Sequence, residues 1–169
     1  MFKKFGKEDI HSRTALKSSL TRQLRTKVAD EFPALAPYVE EILPKKQQVT
    51  IFKCENRVTL YLLASELLFF QRYDENLFPS LRLALKYPEC LTKVQVDRGA
   101  IKFLLSGANC MSPGLTSAGA WLPEQNVPKG AVVLIHAQGK DDACSIGKLE
   151  MSTDDIKKIN KGMANSGHR

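Results

Sequence analysis

Between Ser12 and Glu31 the apolar residues Leu16, Leu20, Leu24 and Val28 recur every fourth position, with Arg13, Lys17, Arg22, Arg25 and Lys27 between them. Such a recurrence keeps one side of an α-helix apolar, so the spacing predicts an amphipathic, basic helix over this stretch. Pro33 suits the opening of a short second helix, with Tyr38, Val39 and Ile42 on its apolar side and Pro44 ending it. The pattern then changes period. Residues 49–54 and 57–63 are rich in β-branched and aromatic side chains, and Glu55-Asn56 between them suits a tight turn, which predicts a hairpin. A third strand, residues 66–73, carries the unbroken run Leu67, Leu68, Phe69 and Phe70; that is too continuous for a strand with one wet face, so both of its faces are expected to be covered. Pro79 then opens a helix through Leu81, Leu83 and Leu85, which ends near Tyr87-Pro88 because a residue before proline disfavours helical geometry.

After Pro88 the pattern restarts, placing a domain boundary near residue 92. A strand over 93–96, a helix over 99–106, and two strands over 131–137 and 143–151 are expected, the last two joined by the turn sequence Gly139-Lys-Asp-Asp142. Ser152 can cap a final helix, with Asp154 and Asp155 in its first turn where the helix dipole favours negative charge. The expected fold class is α+β: a small α/β N-terminal domain, residues 1–91, followed by a β-rich domain with short helices, residues 92–169.

The formal charge of +7 changes this picture because of where it sits. Residues 1–30 hold eight Lys or Arg against three acids, a net of +5, whereas residues 31–93 balance eight against eight. A basic N-terminal face attracts a polyanion through phosphate neutralisation and counterion release. Cys54, Cys90, Cys110 and Cys144 stand far apart, with no Cys-x-x-Cys pair and no histidine at ligand spacing, so neither zinc nor a disulfide framework is expected. Met1-Phe-Lys-Lys-Phe5 leads into charge instead of an apolar run, and no stretch approaches the roughly 18 apolar residues of a membrane helix. A soluble, cytoplasmic protein with reduced thiols is the expectation.

Catalytic chemistry is not expected. Gly139-Lys140 and Gly147-Lys148 lack the glycine spacing and following Ser or Thr of a phosphate loop. The acidic doublets Glu40-Glu41, Asp141-Asp142 and Asp154-Asp155 are sequence neighbours better explained by helix ends and turns. His136 lies in an apolar strand with no specified nucleophile nearby, as a satisfied structural histidine would. Phe69, Phe70, Tyr73 and Phe78 read as core aromatics, and Trp121 is left open between core and a base-stacking platform.

The segment from Val96 to Leu115, Val-Asp-Arg-Gly-Ala-Ile-Lys-Phe-Leu-Leu-Ser-Gly-Ala-Asn-Cys-Met-Ser-Pro-Gly-Leu, resembles the opening of a PUA domain. Asp97 can cap a helix with Ile101, Leu104 and Leu105 on its apolar side, Gly107 suits a left-handed exit, and Pro113-Gly114 suits a turn into the next strand. Met1-Phe-Lys-Lys-Phe5, the run from Glu66 to Arg72, Pro79 to Leu83, Lys86 to Pro88, Pro44-Lys45-Lys46 and Asn160-Lys-Gly162 resemble the malignant T-cell-amplified-sequence family, in order along nearly the whole chain. The resemblance implies a PUA-like β-barrel for residues 92–169. It also implies RNA contacts by Asp97, Arg98, Gly99, Lys102, Gly107, Ala108, Asn109, Met111, Pro113 and Gly114, and ribosome contacts by Lys3, Lys4, Lys45 and Lys46. By the same resemblance the partners are the small ribosomal subunit, transfer RNA and density-regulated protein, in reinitiation and in recycling after termination, with no cofactor. Family members continue past Gly162 into another β segment, whereas this chain ends at Arg169, which leaves the last barrel strand in question. A protein-interaction adaptor and an RNA-modification accessory protein are the competing readings.

Overall fold

The computed structural model describes residues 6–73 and 76–168, with side chains through Ser166. The chain divides between Cys90 and Leu91 into two compact units. Lys3 and Lys4 lie outside the described residues.

In the N-terminal unit five antiparallel strands follow one another across a sheet: β1 (Ile10–Ala15), β2 (Val49–Cys54), β3 (Val58–Leu63), β4 (Glu66–Arg72) and β5 (Leu77–Pro79). β1 corrects the expectation of a helix from Ser12. Arg13, Thr14 and Ala15 pair with Phe52, Ile51 and Thr50, and Lys17 is extended, so helix α1 runs only over Ser18–Glu31. Long-range pairing here overrides a local helical period. The same shift re-aims the leucines. Thr21, Leu24 and Val28 form the buried side of α1, while Leu20 is 44% exposed, because a strict four-residue step drifts about 40° per repeat around a 3.6-residue helix.

A 3-10 segment, Pro33–Tyr38, runs into the single turn α2 (Val39–Ile42), burying Leu35, Val39 and Ile42. The hairpin turn at Glu55–Arg57 places Asn56 and Arg57 at positive φ. In β4, Leu68, Phe69, Phe70 and Gln71 are all buried, so both faces are covered as the unbroken apolar run requires. Phe69 stacks against Phe32 at 6.2 Å, and Phe70 against Phe78 at 5.0 Å. Tyr73 is 45% exposed and leaves the aromatic core expected for it. Pro79 pairs with Phe69 inside β5 instead of opening a helix; Ser80 caps α3 (Leu81–Lys86), its hydroxyl accepting from the Leu83 amide at 3.1 Å.

The C-terminal unit is a five-stranded mixed sheet in the order β6 (Thr92–Val96), β8 (Val132–Ala137), β9 (Ala143–Leu149), β10 (Met163–His168) and β7 (Cys110–Met111). Only β6 and β8 run parallel. Between strands lie α4 (Ile101–Leu105), α5 (Pro113–Thr116) and α6 (Thr153–Ile159). Val94, Val96, Leu104, Leu115, Ile135, Leu149 and Ile156 form the core. Ser152 caps α6, accepting from the Asp155 amide.

The residues after Gly162 form β10, which lies between β9 and β7 through Asn165↔Leu149 and Met163↔Met111. Three further expectations are corrected. Pro113-Gly114 begins the short helix α5 instead of turning a strand, since Ser112 is fully buried and its hydroxyl donates to the carbonyls of Lys161 and Gly162. Leu105 is 52% exposed, because a five-residue helix can turn only Ile101 and Leu104 to the core. His136 is not satisfied as a structural histidine would be: its Nε2 is buried with no hydrogen-bond partner among the described residues, as are both amide atoms of Asn165.

Candidate nucleic-acid interface

β6 ends at Val96, and the chain then has to reverse over the end of the sheet. Asp97 organises that reversal. Its carboxylate accepts from the Ala100 amide at 2.8 Å and from the Ser117 hydroxyl, while its own amide donates to the Gly114 carbonyl at 2.9 Å. The Ser117 bond above all, aided by the amides of Ala100 and Gly99 and opposed by partial burial, holds the Asp97 carboxyl below its ordinary pKa. Gly99 fits because a Cβ there would stand 3.0 Å from Asp97 Oδ1. Asp97 therefore ties the end of β6 to the start of α4 and the end of α5.

These three elements enclose an open groove of about 800 Å³. Of the ten residues expected to contact RNA, Asp97, Arg98, Gly99, Lys102, Ala108, Asn109, Met111, Pro113 and Gly114 line it. Gly107 does not. It sits at φ +84°, ending α4 with its amide donating to the Leu104 carbonyl at 3.0 Å, and it shapes the wall from outside. Gly114 admits a close approach, since a Cβ there would meet the Ala100 Cβ at 3.0 Å.

The groove's surface is mainly apolar, with cations at its edge. Phe103 is 56% and Met111 52% exposed, while Leu104 and Cys110 are buried beneath them. The Lys102 ammonium sits 4.9 Å from the Phe103 ring centroid, and Arg98 is exposed, its backbone amide held by Gln138 Oε1 at 3.0 Å. Burial pushes the Cys110 thiol up to about 11, so it remains a neutral wall atom at physiological pH. Two cations beside an exposed aromatic ring can attract a phosphate and offer a base a stacking surface.

Sequence reasoning missed Phe103 and Ser117. Phe103 carried a signal: in a helix buried through Ile101 and Leu104, the two residues between them, Lys102 and Phe103, point elsewhere. Ser117 carried none, lying 20 residues from Asp97 in a run of small residues. Trp121 is not core. Its ring is 50% exposed while its backbone exchanges hydrogen bonds of 2.8 and 2.9 Å with Gln95.

A second, smaller cavity of about 370 Å³ lies in the N-terminal unit, where Lys45 and Lys46 meet Arg22 and Arg25 of α1. Lys45 also pairs with Glu40 at 2.5 Å, with both side chains largely in solvent.

A two-unit chain with this groove in its C-terminal unit falls in the class of pre-PUA and PUA proteins: residues 3–88 match the family model described as a Pre-PUA-like domain, and residues 92–169 match the PUA domain model. It is 53% identical over 163 residues to translation machinery-associated protein 20 of Eremothecium gossypii, a match covering 96% of this chain and 90% of that one. It is 43% identical over 164 residues to human malignant T-cell-amplified sequence 2, again covering 96% and 90%. The chain belongs to the family formed by these proteins. The fold is shared with a conserved PUA domain protein of Thermoplasma acidophilum, at a TM-score of 0.65 and 17% identity over 94% of this chain and 93% of that one.

Proposed function

We propose that this protein is a non-catalytic, cytoplasmic translation factor that binds RNA and the small ribosomal subunit. It acts with density-regulated protein in reinitiation and in recycling of the small subunit after termination, and its C-terminal groove receives the acceptor end of transfer RNA. The observation that carries the reading is the groove: Arg98 and Lys102 stand at the edge of an apolar cleft bearing Phe103, in a chain whose relatives are named for the translation machinery. A single-stranded RNA end suits such a site because its bases can be splayed out and stacked, while a duplex presents mainly phosphates. Asp97 belongs to the architecture of the site, both of its carboxylate oxygens being engaged by the protein.

Lys102→Glu is the direct test, because Lys102 is exposed on α4 and either residue suits a helix. The variant is expected to bind an acceptor-end oligonucleotide more weakly while its melting temperature stays within a degree or so of wild type. Equal binding by both folded proteins moves the RNA site off α4. Incubation with transfer RNA followed by mass analysis of its nucleosides checks the non-catalytic assignment, with unchanged nucleosides expected.

A further inference from the structure

Leaving α5, the chain returns to the edge of β6, where Trp121 forms an antiparallel bridge with Gln95. Residues opposed across such a bridge point to one face, so the Trp121 ring lies on the Gln95 side of β6, opposite the buried Val94 and Val96. The next residue, Leu122, packs against the core and leaves the indole outside.

A path of bonds ties this ring to the cationic edge of the groove. Gln95 Nε2 donates to the Gly119 carbonyl at 2.8 Å. The Gln138 carboxamide lies so close over Gly119 that any Cβ there would collide with it, and the same carboxamide accepts from the Arg98 amide at 3.0 Å. The Gln138 amide in turn donates to the Val96 carbonyl at 3.0 Å. Trp121 therefore follows the groove residue Ser117 by four positions, and its partner Gln95 precedes the groove residue Asp97 by two.

An exposed indole can serve a protein or a nucleic acid. A protein hot spot sits within close-packed contacts that exclude water. The bonded neighbours here are instead the amides and backbone of Gln95, Gly119 and Gln138, with the guanidinium of Arg98 beyond them. Arg98 enters no ion pair among the described residues. A flat ring and an unengaged cation are what one unpaired nucleotide needs, the first for its base and the second for its phosphate.

We infer that Trp121 is a stacking platform for an unpaired base of the RNA strand whose end occupies the groove. The nucleotide just upstream of the groove lays its base on the indole, while Arg98 meets the phosphate between the two. The inference rests on the reading of the groove above and lengthens its footprint. It also adds a selectivity: the strand has to remain unpaired immediately upstream, because a base held in a duplex has no free face to offer.

The test titrates the full chain with a short acceptor-end oligonucleotide that fills the groove alone, and with one extended upstream by a few unpaired nucleotides. Affinity is read from the anisotropy of labelled RNA and stacking from the emission of Trp121, the single tryptophan of the chain. The extended strand is expected to bind more tightly and to quench that emission, the short one to bind without quenching it. Trp121→Ala is expected to weaken extended-strand binding roughly five- to a hundredfold and to leave short-strand binding unchanged. It removes no charge, so the slope of log K against log salt stays the same, whereas Arg98→Gln lowers that slope by about 0.7. Trp121→Tyr is expected to recover most of the lost affinity. An abasic nucleotide just upstream of the groove is expected to weaken binding by wild type but not by Trp121→Ala. The bridge to Gln95 is made by backbone, so the melting temperature of both Trp121 variants is expected to stay within a degree or so of wild type. Equal affinity for the two strands, unaltered in Trp121→Ala, overturns the platform while short-strand binding, and with it the reading of the groove, stands. An equal abasic penalty in wild type and Trp121→Ala also overturns it, because the base then rests on another surface. Quenching by the short strand, with its binding weakened in Trp121→Ala, overturns the upstream placement. Unchanged oligonucleotide binding with weakened binding of density-regulated protein in Trp121→Ala overturns it in favour of a protein contact. A wild-type chain that binds neither strand overturns this inference and the reading of the groove together.

Discussion

Among single residues, Asp97 shows how a polar side chain that lines a groove can be there for the fold. One carboxylate bonded to an amide and a hydroxyl adds to the backbone bond between Asp97 and Gly114 in joining the end of β6 to α4 and α5. Ala100, not Asp97, stands at the N-cap of α4, so Asp97→Ala removes hydrogen bonds to a charged group and not a helix cap; it is expected to cost about 1.5 to 3 kcal/mol, measured as a shift in the urea midpoint. The charge adds a pH signature. Because the folded-state pKa lies below the ordinary 3.8, the ionised carboxylate contributes stability that is fully present above that value and disappears as pH falls through the lower folded-state value. The stability gap between wild type and Asp97→Asn is therefore expected to be constant from neutral pH down to about pH 5, and to narrow in more acid solution. A gap independent of pH throughout would mean that the carboxylate acts only as a neutral acceptor.

At the level of elements, the short helices α4 and α5 depend on one close approach. The Gly114 Cα stands where a Cβ would meet Ala100 at 3.0 Å and the Cys110 thiol at 3.4 Å. Gly114→Val therefore forces the groove walls apart, and a cost of roughly 1 to 3 kcal/mol is expected from overpacking. Gly107→Ala meets no atom within 4 Å but must hold φ +84°, so its cost, expected to be about 1 kcal/mol, is one of backbone strain alone. Urea titration of the two variants checks the ordering. A Gly114→Val variant no less stable than Gly107→Ala would show that α5 can move freely away from α4. The β10 strand is the other element whose context matters: its polar residues carry little β-propensity, yet Ala164 and Asn165 are fully buried because β7 and β9 take it between them.

For the whole molecule, the two units differ in surface chemistry. One holds a cavity lined by four cations, and the other an apolar groove edged by two cations. Replacing Lys3, Lys4, Lys45 and Lys46 together by alanine is expected to weaken small-subunit binding and flatten its salt dependence, by about 0.7 to 0.9 in slope for each phosphate that is no longer neutralised. Folding should change little, since Lys45 and Lys46 are exposed and the Lys45–Glu40 pair is of the solvent-screened kind that contributes little stability. Weaker binding with an unchanged slope would mean that these lysines meet protein.

Much of this architecture was legible along the chain. The change of period at Val49, the unbroken run through Phe70 and the stop at Tyr87-Pro88 are local signals, because side-chain period and proline sterics act over a few residues. They located β2 to β4 and the end of α3, and the Asp97–Gly114 segment marked nine lining residues of one groove. Tertiary structure alone decided the rest. Whether Ser12 to Ala15 coil into α1 or pair with β2 depends on a strand nearly forty residues away. Whether residues 163–168 form a strand depends on the edges that β7 and β9 offer them. The convergence of Arg22 and Arg25 with Lys45 and Lys46 follows from the way the chain after α2 folds back along α1, held in part by the bond from Arg25 to Leu43. A periodic pattern specifies which side of an element is apolar; pairing register and chain reversal, which are long-range, determine which polar side chains end up facing one another.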